Sequence, residues 1–267
     1  MLLSQDSLFR KIKKQVGEAI GDFQLIEAGD RIAVAVSGGK DSYTLLHILD
    51  ALRRRAPVHY ELVAVNVDAG FPGYRKDLLA AHLAEHGFPC HLETTDCYRI
   101  IEEKRRPGSS YCAFCARLRR GVLYTLADQL GCNKLALGHH LDDFIETLLL
   151  NQFYVGTLKA MSPKLLADNG RHTVIRPLVY VAEADISTFA RRNAFPIVNC
   201  ACPVAGQGDR QRQRMKRLVC ELTGEIPHLR SSLLHAMANV QPRHLLDPRI
   251  VCREAPAEMS RESGRSE

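Results

Sequence analysis

The stretch Arg31-Ile32-Ala33-Val34-Ala35-Val36, followed by Ser37-Gly38-Gly39-Lys40-Asp41-Ser42, decides how this chain is read. Residues 31–36 are a short apolar run with β-branched members, the pattern of a buried strand. Helical spacing then resumes over residues 41–55. Two glycines between strand and helix let the backbone turn sharply and approach a ligand closely. The helix start offers free N–H groups and the positive end of the dipole, which suit phosphate. Lys40 adds a mobile positive charge, and Ser37 and Ser42 add hydroxyl donors. A plain strand-to-helix turn would also use glycines, and the spacing is not the G-x-x-x-x-G-K-[ST] of a Walker A loop.

Working outward, the strand-then-helix unit recurs. Residues 8–23 have the apolar spacing of a helix. Residues 61–68 (ELVAVNVD) read as a second strand and 73–85 as a helix, with a third strand at 90–94. A fourth strand at 133–137 precedes a helix at 142–153, and a fifth at 173–181 precedes a helix at 183–193. This alternation predicts an α/β fold, a doubly wound parallel sheet with helices on both faces. Ligands bind such sheets beyond the carboxyl ends of the strands. Two stretches interrupt the pattern: a basic insert at 98–121 and a Pro/Gly-containing loop at 196–208. A strongly basic helix is expected at 210–222, with Asp209 as its N-cap, and residues 248–267 are largely polar. The expected organisation is an N-terminal helical segment (1–30), a nucleotide-binding domain (31–222), and a C-terminal helical segment with a polar tail (223–267).

At 267 residues, 46% hydrophobic and 25% charged, the chain has the composition of a globular protein with a full core. No apolar run is long enough for a membrane helix, and residues 1–14 carry charges where a signal peptide needs an apolar region. The cytoplasm is therefore the expected compartment, with no membrane partner. A net charge of +6 permits an anionic partner without demanding one. In a reducing compartment the nine cysteines are not read as disulfides. Cys112 and Cys115 form a C-x-x-C, and Cys200 and Cys202 a C-x-C. If the two sets converge, four thiolates would suit zinc, and three would suit an iron–sulfur cluster with one open iron. Cys90, Cys97, Cys132, Cys220 and Cys252 read as small buried hydrophobes.

Residue for residue, Ser37-Gly38-Gly39-Lys40-Asp41-Ser42 resembles the S-G-G-x-D-S loop of the ATP-pyrophosphatase (PP-loop) family. The resemblance implies a loop that holds the β- and γ-phosphates of ATP and an enzyme that adenylates its substrate, with pyrophosphate leaving. Gly138-His139-His140-Leu141-Asp142-Asp143 resembles the family's G-H-H/N-x-D-D signature, with Glu146 and Thr147 one turn later. Asn66 and Asp68, ending the second strand, stand where adenosine could dock. Asp142 and Asp143 have the hard oxygen ligands that Mg²⁺ prefers, although either could simply cap the helix.

The order of DFQLIEAGDRIAVAVSGGKDS (residues 22–42), the C-x-x-C before Arg117, Arg119 and Arg120, LGHHLDDFIETLLLN, and the C-x-C before a basic helix is similar to the tRNA 2-thiocytidine synthetase (TtcA) family. The similarity runs over residues 8–222. It implies an ATP-dependent tRNA sulfurtransferase that thiolates cytidine 32 in the anticodon loop. It also implies a [4Fe–4S] cluster held by three cysteines. Cys112 and Cys115 match two of them. The third is Cys202, because related thiouridine synthetases carry C-P at this point as in Cys202-Pro203, with Cys200 as the alternate. Catalytic roles then fall to Lys40, the phosphate clamp, and to Asp41, Asp143 and Cys202. A sulfur donor such as a cysteine desulfurase is expected.

Arg105, Arg106, Arg117, Arg119 and Arg120 flank one cysteine set, and Arg210, Arg212, Arg214, Lys216 and Arg217 follow the other. They would put phosphate-binding charge beside the reacting base. The helix at 8–23 would suit a homodimer interface or its own core. A tRNA-lysidine synthetase would have no need of the cysteines. An archaeal-type thiouridine synthetase would carry cysteine pairs in residues 1–30, where there are none. A thiolase of another substrate, or a non-catalytic zinc or nucleic-acid-binding module, is the competing reading.

Overall fold

The computed structural model describes residues 6–106, 109–167, 170–198, 201–202 and 210–246. Six strands form one sheet: β1 Arg31–Ala35, β2 Glu61–Asp68, β3 Cys90–Thr94, β4 Lys134–Ala136, β5 Lys164–Leu166 and β6 Thr173–Ile175. Their spatial order is β3-β2-β1-β4-β6-β5. The ladders from β3 to β6 are parallel, and β5 closes the edge antiparallel to β6. Strand order turns back between β1 and β4, which pair in the register Ala33↔Leu135 and Val34↔Ala136. The crevice beyond their carboxyl ends is the place where such sheets bind ligands.

Helices cover both faces. On one lie α1 Ser7–Asp22, α2 Lys40–Arg53, α3 Lys76–Glu85 and α7 Glu183–Arg192, which share the main apolar core with β1 and β2. α1 starts at Asp6, whose side chain accepts the Leu8 N–H, and buries Phe9, Ile12, Val16 and Ala19 at helical spacing. Each large apolar side chain so buried contributes about 1.5–3 kcal/mol. Of the two uses open to this helix, its apolar face serves its own core. On the other face α5 Tyr111–Gln129 packs Leu126 and Ala127 against Ala33, Val63, Val65 and Leu135. α6 Leu141–Leu150, α8 Arg210–Glu225 and α9 Leu229–Ala238 make a separate apolar layer around Ile145, Met215 and Val219.

Several elements differ from the sequence expectation. The fifth expected strand, 173–181, stops at Ile175, because Pro177 has no N–H for a ladder and Val179 donates back to Arg176 O. The short β5, with exposed Leu165 and Leu166, has no counterpart among the expected strands, and it makes the sheet mixed at one edge. The basic insert is two helices, α4 Cys97–Lys104 and α5, the latter capped where Ser110 Oγ accepts the Ala113 N–H. The helix expected to reach residue 153 leaves α geometry at Asn151 for one π turn, ended by Gly156 at φ +74°. Asp209, Cys200 and residues 248–267 lie outside the described residues.

Candidate active site

The glycine loop leaves β1 and turns into α2 through Gly38, at φ +84°. A Cβ on Gly38 would stand 2.8 Å from Val198 Cβ. The backbones there are already joined, with the Val198 N–H donating to Gly38 O at 2.9 Å. The loop is braced from within. Ser42 Oγ donates to Gly39 O at 2.8 Å and accepts the Ser37 N–H at 3.2 Å. Beneath it, buried Asn66 donates through Nδ2 to Val36 O (2.7 Å) and to the Tyr74 hydroxyl (2.8 Å), and that hydroxyl reaches Ser37 O. Asn66 thus fixes the strand end that feeds the loop. The Ser42 and Tyr43 N–H groups donate to Gly39 O at 3.1 and 3.2 Å, and the positive end of the α2 dipole faces the crevice, the arrangement that receives phosphate.

The second signature arrives from β4. A Cβ at Gly138 would lie 3.2–3.3 Å from the Asp41 carbonyl and the Ser42 nitrogen, so a glycine lets the two loops touch. His140 follows, buried, with Nε2 at 3.7 Å from Asp41 Oδ1 and 3.5 Å from Asp143 Oδ2. Its Nδ1 is buried without a hydrogen-bond partner, as is Asn66 Oδ1. An orphaned His140 Nδ1 on the wall of a cavity fits a site that takes a polar ligand.

The cavity, about 320 Å³, is lined by Lys40, Asp41, His140, Asp143, Glu146, Glu183, Arg212, Gln213 and Lys216. Its charges are paired. Lys40 Nζ lies 3.0 Å from Asp41 Oδ1 and 3.2 Å from Glu183 Oε1, and Lys216 Nζ lies 2.6 Å from Glu183 Oε2. Arg212 bridges Asp143 Oδ1 and Glu146 Oε2 at 2.7 Å each. Burial works against the Lys40 charge, but Asp41 and Glu183 outweigh it and raise its pKa. Burial likewise opposes the Glu183 charge, yet Lys216 and Lys40 pull its carboxyl down to about 2. Glu146 is raised by burial, which Arg212 only partly offsets. Three cations beside four carboxylates can grip a triphosphate and spare oxygens for a hard cation.

The two adjacent aspartates part company. Asp143 faces the cavity while its Oδ2 accepts the His140 N–H, so it caps α6 as well. Asp142 is buried with both oxygens occupied, Oδ2 by the Glu183 N–H and Oδ1 by Arg230. His139 does not line the cavity. Its Nδ1 accepts from buried Arg176 at 3.2 Å, and burial, aided by Arg176, lowers its pKa to about 4. Asp68 caps its own turn, accepting the Gly70 N–H at 2.9 Å. Glu183 and His140 are cavity groups that sequence reasoning does not single out as site residues. The signal for Glu183 is an acidic first-turn residue on a helix that starts at the same sheet edge. Arg212 and Lys216, expected to face RNA, point into this cavity.

The cysteines lie beyond the same edge. Cys115 and Cys202 pack in one apolar cluster with Phe71, Tyr98, Tyr111, Phe114 and Ile101. Cys112 is exposed one turn earlier on α5, at the i, i+3 spacing that shares a helix face. Cys97 is in this cluster as well, 3% exposed, as a small buried hydrophobe. Cys115 and Cys202 are half-buried and Cys112 is exposed; among the described residues the three thiols are not drawn together as a preformed ligand set. Arg105 covers the Tyr111 ring at 5.6 Å.

Residues 8–202 match the PP-loop domain family. Over 247 residues the chain is 72% identical to the tRNA-cytidine(32) 2-sulfurtransferase of Syntrophotalea carbinolica, covering 92% of this chain and 95% of that one. The enzyme of the same name from Geobacter metallireducens is 72% identical over 90% of this chain and 93% of its own. Among solved structures, the U34-tRNA thiolase NcsA of Methanococcus maripaludis, determined with its [4Fe–4S] cluster, shares the fold. Its TM-score is 0.70 at 20% identity, over 88% of this chain and 80% of that one. With its phosphate loop, its second loop and its cysteine pair all at one sheet edge, the chain belongs to the PP-loop domain family and, within it, to the tRNA-cytidine(32) 2-sulfurtransferase family.

Proposed function

We propose that this chain is an ATP-dependent tRNA sulfurtransferase that replaces the C2 oxygen of cytidine 32 with sulfur. One observation carries the reading: Val198, which donates to Gly38 O in the phosphate loop, stands four positions before Cys202 in the sequence, and Cys202 packs in the same apolar cluster as Cys115. Activation and sulfur delivery can then act on one base.

ATP binds with its β- and γ-phosphates on Ser37, Gly38, Gly39, Lys40, Asp41 and Ser42, where the α2 N–H groups and Lys40 hold their charge. Mg²⁺ would sit on Asp143 with Glu146, taking the place Arg212 now fills; Asp142, engaged elsewhere, supports Glu183. The C2 oxygen attacks the α-phosphorus and pyrophosphate leaves. A sulfur nucleophile then adds at C2, and AMP departs with the former oxygen. A [4Fe–4S] cluster on Cys112, Cys115 and Cys202 would supply an iron with an open position for that sulfur. The base reaches the site from a single-stranded loop, which makes extrusion less costly than from a duplex. Asp41 and His140 border the transferring phosphate, while His139 and Asp68 shape the adenosine side.

Residues 31–222 are the catalytic unit in this reading, with α1 and α9 packed on it. The sulfur donor is one such as a cysteine desulfurase, and the compartment is the cytoplasm; among the described residues no helix is long and apolar enough to cross a membrane. A homodimer would use a surface other than the apolar face of α1.

The test is mass spectrometry of tRNA nucleosides from cells with and without the protein, and with the Cys112→Ser variant. Loss of 2-thiocytidine in both the deletion and the variant is expected. Unchanged 2-thiocytidine in the deletion would remove the tRNA assignment. Full thiolation by Cys112→Ser would remove the cluster role. Bound zinc with no pyrophosphate release on tRNA would favour the binding-module reading.

A further inference from the structure

Away from the crevice, three histidines meet between α2 and α3. His47 lies two turns along α2 from Lys40, His82 is on α3, and His86 caps the end of α3. His47 and His82 are 5% and 7% exposed, and His86 is open to solvent. One ring nitrogen from each lies within 4.8 Å of those of the other two. His82 and His86 are four residues apart, a spacing that puts both side chains on one helix face.

The nitrogens are prepared for a Lewis acid. His47 Nε2 and His82 Nε2 are 2.9 Å apart, so a single proton is shared between two lone pairs. His86 Nδ1 lies 2.9 Å from His82 O. A carbonyl can only accept, so Nδ1 carries the proton and the lone pair of His86 is on Nε2. A backbone carbonyl on the distal nitrogen is the usual way a metal-binding imidazole is oriented. The surroundings are aromatic. Phe195 stacks on His47 at 5.1 Å and 13°, Phe88 meets it edge-on at 5.1 Å, and Tyr43 meets His82 edge-on at 4.7 Å. Asp50, on the same helix as His47, is held by Arg53 and Arg54.

We propose that His47, His82 and His86 form a zinc site, three imidazoles with water in the fourth position, strapping α3 to the phosphate-loop helix. Imidazole ligands without thiolate or carboxylate suit Zn²⁺ among the available divalent ions. Tetrahedral zinc at about 2.0–2.1 Å from nitrogen would hold the ligand atoms about 3.3 Å apart, so the His47–His82 pair opens by about 0.4 Å. Exposed His86 is the entry side. The site is independent of the tRNA reaction proposed above and uses none of its cysteines.

The experiment takes the full-length protein, purified anaerobically with its iron, exposes it to Zn²⁺ and passes it through gel filtration. Expected are one zinc retained per chain and a zinc-edge X-ray absorption shell of nitrogen and oxygen, with imidazole scattering and no sulfur. The melting temperature should rise with Zn²⁺. His86→Ala, a solvent-side change that leaves the packed rings in place, should lower zinc affinity by about tenfold or more and abolish the rise. Sulfur in the zinc shell, no retained zinc, or equal retention by His86→Ala would overturn the proposal. A failure here leaves tRNA thiolation untouched, because the nucleoside assay does not read this site.

Discussion

Gly38 sits in the left-handed region, φ +84°, with Val198 Cβ 2.8 Å from where a side chain would start. Gly38→Ala therefore combines backbone strain with a clash against a chain segment that is itself hydrogen-bonded. A thermal melt should show about 1–3 kcal/mol of lost stability, and tRNA-dependent pyrophosphate release should fall with it. Lys40 is different, because its head group is held by carboxylates and not by packing. Lys40→Ala should keep the melting temperature close to that of the parent while pyrophosphate release drops by about 10²-fold or more. Both residues were legible in the sequence, since glycine and lysine at these loop positions have direct physical uses. Asn66 was legible as the end of a strand beside the loop, but its action on the loop was not. A buried amide bracing the loop from below depends on Tyr74, a residue eight positions away that no local pattern connects to it.

At the scale of elements, Glu183 at the start of α7 joins α2, through Lys40, to α8, through Lys216. Its carboxyl is held at about 2 against an ordinary 4.5. The folded chain therefore binds this proton less tightly than the unfolded chain does. The stabilisation is complete above the unfolded value and is lost as pH falls from about 4.5 toward 2. Glu183→Gln should flatten the fall of melting temperature over that acid range while changing its slope little near neutrality. β1, β2 and α2 were readable because buried strands, and a helix entered from a glycine turn, are written in local apolar runs. α5 was not, because Arg117, Arg119, Arg120 and Gly121 interrupt its pattern and its buried residues, Leu126 and Ala127, come only near its end. β5 is three residues with two exposed leucines, too short for a period to register. That Arg212 and Lys216 turn inward is set by α6 and α7 arriving opposite them, a long-range fact with no signature along α8.

For the whole molecule, exposed Arg117 and Arg120 of α5 would meet the RNA beside the cysteine pair. tRNA affinity should fall linearly on a log–log plot against salt. Arg117→Glu with Arg120→Glu should weaken binding and reduce that slope by about 0.7 for each phosphate no longer neutralised. The change should leave basal ATP binding intact, and filter binding at several salt concentrations reads both effects. The order of the sheet, β3-β2-β1-β4-β6-β5, puts the glycine loop after β1 and the second loop after β4 side by side at one edge. The bond from Val198 to Gly38 then has a mechanical meaning. A shift of the turn larger than a hydrogen bond tolerates must drag Val198 with it, so the conformation at Gly38 and the place of residue 198 are set together.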